Sequence, residues 1–199
     1  MRDLSNRIFV TNHQIIIPQT NDPTPTSYLS EPPSGTLLLA QQVPPNGGDT
    51  LFANQVAAFA ALSPGLQQTL STLTALHTSA KADASKTRED RMKDSAHKSE
   101  TLTSRHPVVR THPETGRRSL YVNVAHTERF EGWSAEESRP LLEYLHAHQT
   151  RPEFTCRFRW EAGSVALWDN RACLHNPVND YQGFRRSMLR ITLAGDRPR

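Results

Sequence analysis

The sequence predicts a mainly β domain with a few packed helices, a sandwich or jelly roll. Three observations carry this. Short runs rich in β-branched and aromatic residues recur along the chain, with Pro, Gly and Asn clusters between them. Leucines at helical spacing are confined to two regions, and no internal repeat is visible. At 199 residues one domain is the default, and it is long enough to bury a core.

In order, Ile8-Phe9-Val10 and Ile15-Ile16-Ile17 read as short strands. Pro18, Pro23, Pro25, Pro32 and Pro33 then exclude a central strand or a helix. Thr36 to Val43 is a buried strand ending at Pro44-Pro45, and Gly47-Gly48 supplies a tight turn at positive φ. Asn54 caps a short helix through Ala61. Ser63-Pro64 opens a second, with Leu66, Leu70, Leu73 and Leu76 on its inner face. About 78–104 is a polar excursion, read equally as a solvated loop or as a lid. His106–Thr111 and Leu120–Asn123 pair across a THPETGRR turn. Ser134 and Glu137 form a capping box for a helix to about His148. Phe154–Trp160, Val165–Trp168 and Ser187–Leu193 complete the strands.

Charged residues are 22% and apolar residues 36%, as in a globular chain, and the net charge is only +3 with the basic residues dispersed. Nucleic acid is therefore not an expected partner. No run approaches the roughly 20 apolar residues of a membrane span, and the N-terminus makes a poor signal peptide. Cys156 and Cys173 lack metal or disulfide spacing and fit a reducing compartment, so the expected location is the cytoplasm.

The chemistry concentrates in Trp168–Arg190. An apolar strand runs into an Asp169-Asn170-Arg171 corner and on to His175. After a loop, a second strand returns carrying Arg185, Arg186 and Arg190. Imidazole suits iron, and the guanidinium fork matches carboxylate oxygens, so this stretch can hold a metal beside an anionic cosubstrate. Of the other histidines, His77, His97, His146 and His148 read as surface or helix-end residues. His106 and His112 read as structural, and His126 as a residue that lines a cleft.

From about Ser27 onward the chain resembles the taurine dioxygenase (TauD/TfdA) family of Fe(II)- and 2-oxoglutarate-dependent dioxygenases. The stretches that carry the resemblance are SYLSEPPSGTLLLAQQVPPNGGDTLFAN, HPVVRTHPETGRRSLYVN, RPEFTCRFRW, WDNRACLHNPVNDY and FRRSMLRITLAGDRP. It implies a double-stranded β-helix (jelly roll), incomplete at the N-terminus, with 1–26 divergent and 27–199 as the oxygenase domain. It implies Fe(II) and 2-oxoglutarate as cofactors, with O₂ and a small anionic sulfonate or carboxylate as reactants, and it leaves a homo-oligomer open. His175 matches an iron ligand. Arg186 matches the arginine on the distal carboxylate of 2-oxoglutarate, and Thr50 the hydroxyl that assists it. Arg190 matches a second arginine, near the C1 end of 2-oxoglutarate and the substrate anion.

One departure accompanies the match. The family's W-H-x-D motif falls on Asp22-Pro23-Thr24-Pro25, so Pro23 and Pro25 stand where a histidine and an aspartate ligate iron. Proline has no side-chain donor, and neither Asp22 nor His13 has the family spacing. The alternative expectation is a truncated or inactive member that lacks the His-x-Asp ligands and acts as a binding or interaction protein.

Overall fold

A computed structural model describes residues 27–80 and 101–199, together with a strand at 9–11. His13, Asp22, Pro23, Pro25, His97, the 15–17 run and most of the polar excursion lie outside the described residues.

Two sheets form the sandwich. The first has four antiparallel strands: β1 (Phe9–Thr11) beside β10 (Val165–Asp169), then β2 (Gly35–Gln42), then β12 (Ser187–Leu193). The second has β11 (Cys173–Pro177), β3 (Thr50–Asn54) and β9 (Thr155–Phe158). Alternation decides what each strand turns inward. Leu38 and Ala40 of β2 and Ala166 and Trp168 of β10 meet Phe52 of β3 and the adjoining Trp160 in one apolar layer. Residues from both sheets share that layer, which is the interior of a jelly roll.

A second core lies under the helices α1 (Gln55–Ala60), α2 (Pro64–Leu70) and α3 (Ala135–Gln149). There Phe59, Leu70, Leu142 and Leu145 pack on Val109 of β6 (Val109–Thr111), Leu120 of β7 (Arg118–Leu120) and Phe130 of β8 (Thr127–Phe130). Asn54 Oδ1 accepts the N–H groups of Val56 and Ala57, and both halves of the Ser134/Glu137 capping box form. The hairpin closes with Val109 opposite Leu120. Its strands differ from the expected His106–Thr111 and Leu120–Asn123, since β6 begins at Val109, β7 ends at Leu120 and His106 pairs with Ala75 instead.

Three other expectations change. The helix from Pro64 stops at Leu70, and Leu76 lies on β4 (Thr74–Thr78), paired with β5 (Thr103–Pro107) on one side and β8 on the other. Two flanking strands outweigh leucine spacing that also fits a helix. Ser63 precedes α2 but makes no side-chain cap bond. The excursion is also narrower than 78–104, because Thr78 pairs with Thr103 inside the sheet.

Candidate active site

His175 sits on β11 opposite Phe52, so both side chains share the inward face of the second sheet. Its ring lies 4.8 Å from the Trp168 ring and 6.5 Å from that of Phe52, which puts it between the sheets. Burial, reinforced by the positive charge of Arg190, pushes its pKa down to about 4. The imidazole is therefore neutral at physiological pH, the form that ligates metals. Trp168 is itself buried, and its indole N–H has no partner among the described residues.

Arg190 lies on β12 opposite the inward-facing Leu38. Burial and the neighbouring Arg186 charge lower its pKa from the usual arginine value. Two like charges in a half-buried place repel each other, and an anion beside them would relieve that cost.

Arg186 is held from several sides. Its Nε donates to the Gly48 carbonyl at 3.2 Å, and its guanidinium carbon lies 5.9 Å from both the Trp160 and the Tyr181 ring centroids. Its Nη2 is buried with no partner among the described residues. Gly47 and Gly48 both take positive φ, +79° and +72°. A Cβ on Gly47 would stand 2.6 Å from Asp180 Oδ1, and one on Gly48 3.2 Å from Arg186 Cδ. The glycine pair thus lets the turn close against both residues, while Asp180 accepts the Gly48 N–H at 2.7 Å. Thr50, the first residue of β3, is 2% exposed, and its Oγ1 accepts the Trp160 indole N–H at 2.9 Å.

The corner residues are held by hydrogen bonds to one another and to neighbouring segments. Asp169 accepts from the Arg171 N–H and guanidinium and from His112 Nε2 at 2.9 Å. His112 Nδ1 accepts the N–H groups of Glu114 and Thr115, which fixes the Nε2–H tautomer. Asn170 Nδ2 donates to Thr36 Oγ1, tying the corner to β2.

Elsewhere, His77 lies buried on a strand, contrary to the surface or helix-end reading, while His148 is at a helix end as read but is buried. His148 Nε2 donates to the Ala58 carbonyl at 2.7 Å, because α3 turns its last turn against α1. His77 Nδ1 meets Ser27 Oγ at 2.8 Å, and His106 Nε2 donates to the Leu29 carbonyl at 2.9 Å. These two histidines clasp the segment leading into β2. His126 packs edge-on against the Tyr28 ring.

The structure links the sequence-derived site residues pairwise. Thr50 and His175 lie on adjoining strands, Arg186 reaches the Gly48 turn just before Thr50, and Arg190 bears on His175. Sequence reasoning overlooked Trp160, Tyr181 and Asp180 as part of this group. Their signal was faint, an aromatic at the end of an alternating strand and an aspartate in a loop.

A jelly roll that brings a half-buried neutral histidine near two arginines can hold an anion beside a metal ligand. The sequence profile described as "Taurine catabolism dioxygenase TauD, TfdA family" matches residues 6–192, and the chain belongs to that family. The match reaches well ahead of Ser27. An alpha-ketoglutarate-dependent sulfate ester dioxygenase of Pseudomonas putida is 38% identical over 180 residues, covering 88% of this chain and 60% of that protein. An alpha-ketoglutarate-dependent sulfonate dioxygenase of Saccharomyces cerevisiae is 37% identical over 177 residues, covering 88% of this chain and 42% of its own. Among solved structures, a taurine dioxygenase from Burkholderia xenovorans superposes with a TM-score of 0.75 at 37% identity, covering 96% of this chain and 62% of that one. The chain therefore spans less than two thirds of the length of these relatives.

Family membership implies Fe(II) and 2-oxoglutarate as cofactors. The donor set suits a dicarboxylate, since Arg186 keeps a buried unpartnered N–H and Arg190 is desolvated beside it. Iron fits less well. His175 is a competent ligand, but among the described residues no three His, Cys, Asp or Glu side chains group to hold a metal.

Proposed function

We propose that the protein is an Fe(II)/2-oxoglutarate-dependent dioxygenase that hydroxylates a small anionic substrate, a sulfonate, sulfate ester or carboxylate, and that this chain carries its anion-binding part. Arg186 with Thr50 receives the distal carboxylate of 2-oxoglutarate. Arg190 faces its C1 end and the substrate anion, and His175 is the iron ligand. Bound iron would supply O₂ activation, while these side chains bind and orient the acids and exclude water from around them. The observation that carries the reading is the Arg186 fork, clamped at Gly48 with its buried Nη2 left to donate. The substrate class follows the sulfate ester and sulfonate named for two relatives. A cytoplasmic location accords with two unpaired cysteines, and among the described residues no helix is long and apolar enough to cross a membrane.

The deciding experiment is succinate formation from 2-oxoglutarate with Fe(II), stimulated by a panel of alkylsulfonates, sulfate esters and carboxylates. Stimulated turnover that disappears in His175→Ala supports the proposal, and its absence over the panel counts against it. Pro23 and Pro25 favour a second reading, a member that binds the anion without turning it over. Anaerobic titration separates the two. Stoichiometric Fe(II) binding with a charge-transfer band on adding 2-oxoglutarate belongs to the enzyme alone.

A further inference from the structure

Trp160 lies among the apolar residues between the sheets, 5% exposed, and core packing would explain its burial. Packing does not explain its polar edge. An indole N–H can only donate, so at 2.9 Å Thr50 Oγ1 must be the acceptor of the Trp160–Thr50 bond. The Thr50 hydroxyl hydrogen is then turned away from Trp160, and it finds no acceptor among the described residues. A buried hydroxyl donor left unmade is costly. The same indole ring lies 5.9 Å from the Arg186 guanidinium carbon, whose Nη2 is also a buried donor without a partner among the described residues. One tryptophan thus bears on two groups of the proposed site with unmet donors, through its N–H on Thr50 and its π face toward Arg186.

We propose that Trp160 is a positioning residue for the dicarboxylate. By occupying a lone pair of Thr50 Oγ1, it commits the Thr50 hydroxyl to donate to the carboxylate that Arg186 receives, and its face supports the Arg186 guanidinium. The inference rests on the reading of Arg186 and Thr50 given above. Without the indole N–H, the hydroxyl is free to rotate, and the carboxylate must compete for a donor it otherwise finds already aimed.

The test is a double-mutant cycle read by 2-oxoglutarate binding, by calorimetry on the purified full chain, anaerobically, with and without Fe(II). Trp160→Phe keeps an aromatic ring and removes the N–H, and Thr50→Val removes the hydroxyl. Each is expected to weaken binding about tenfold, the order expected for one hydrogen bond to a charged group. The double variant should bind within about twofold of Thr50→Val, because Trp160 acts through that hydroxyl. Additive losses of about a hundredfold, or a Trp160→Phe variant that binds like the parent chain, overturn the inference and leave the 2-oxoglutarate site standing. No binding to the parent chain overturns both. Should Trp160→Phe not fold, ¹⁵N-indole spectra of the unsubstituted chain take its place. The Trp160 N–H signal should move when 2-oxoglutarate is added and stay still in Thr50→Val, and an unmoved signal in the parent chain overturns the inference.

Discussion

Trp168 and His175 face one another at 4.8 Å between ring centroids, although the Asp169–Arg171 corner separates them in sequence. The tryptophan closes one side of the histidine, Phe52 lies on another, and burial beside them favours the neutral imidazole. Trp168→Ala should cost about 3–5 kcal/mol of stability, as expected for a large aromatic removed from a packed layer. Urea denaturation checks the value, and a loss below about 1 kcal/mol would show that the layer does not depend on this contact.

Arg186→Lys should weaken 2-oxoglutarate binding by roughly tenfold or more while leaving stability near that of the parent. An ammonium cannot hold the Gly48 carbonyl and present a flat fork to a carboxylate at the same time. Isothermal titration with 2-oxoglutarate decides this, and an unchanged affinity would remove Arg186 from the clamp.

Gly48→Ala combines a left-handed backbone with a methyl group 3.2 Å from Arg186 Cδ. The backbone strain alone costs roughly 1–2 kcal/mol, and relief of the contact must move the arginine. Both the melting temperature and the affinity for 2-oxoglutarate should fall. A variant that lost stability but bound normally would mean that the turn and the fork are independent.

Asp169 supplies a pH dependence. Burial opposes its ionisation, but the hydrogen bonds from Arg171 and His112 outweigh burial and leave its pKa below the usual carboxylate value. A carboxyl with a depressed folded pKa adds stability that is present above its unfolded pKa, about 3.9, and is lost as pH falls through the folded value. The melting temperature of the parent should therefore drop as pH is lowered below about 4, and Asp169→Asn should flatten that limb while melting lower at neutral pH. Parallel curves for the two chains would assign the acid loss to other groups.

Much of this was legible in the residues, for local reasons. Asn54, Ser134 and Glu137 mark helix starts because caps are made by neighbours in sequence. β2 and β10 are legible as buried strands from their continuous apolar runs, which do not show which side chains turn inward. The end of α2 at Leu70 was not legible, since β5 and β8 come from far along the chain to claim Thr74–Thr78. The burial of His77 and His148 was not legible for the same reason, as their partners Ser27 and Ala58 are distant. His175, Thr50, Arg186 and Arg190 could be proposed from motifs, but Trp160 could not. Its part is visible only once β9 and β3 are paired and the indole edge is seen to meet Thr50.

The Gly47–Gly48 turn bears on the thermodynamics of recognition. A free arginine gives up much rotamer entropy when it grips an anion. Here Gly48 accepts Nε and two rings flank the guanidinium, so that ordering takes place when the chain folds. On the proposed reading, an incoming dicarboxylate would meet a fork already set. Its affinity should therefore be governed by the enthalpy of the new hydrogen bonds and the release of water, with little conformational penalty from Arg186.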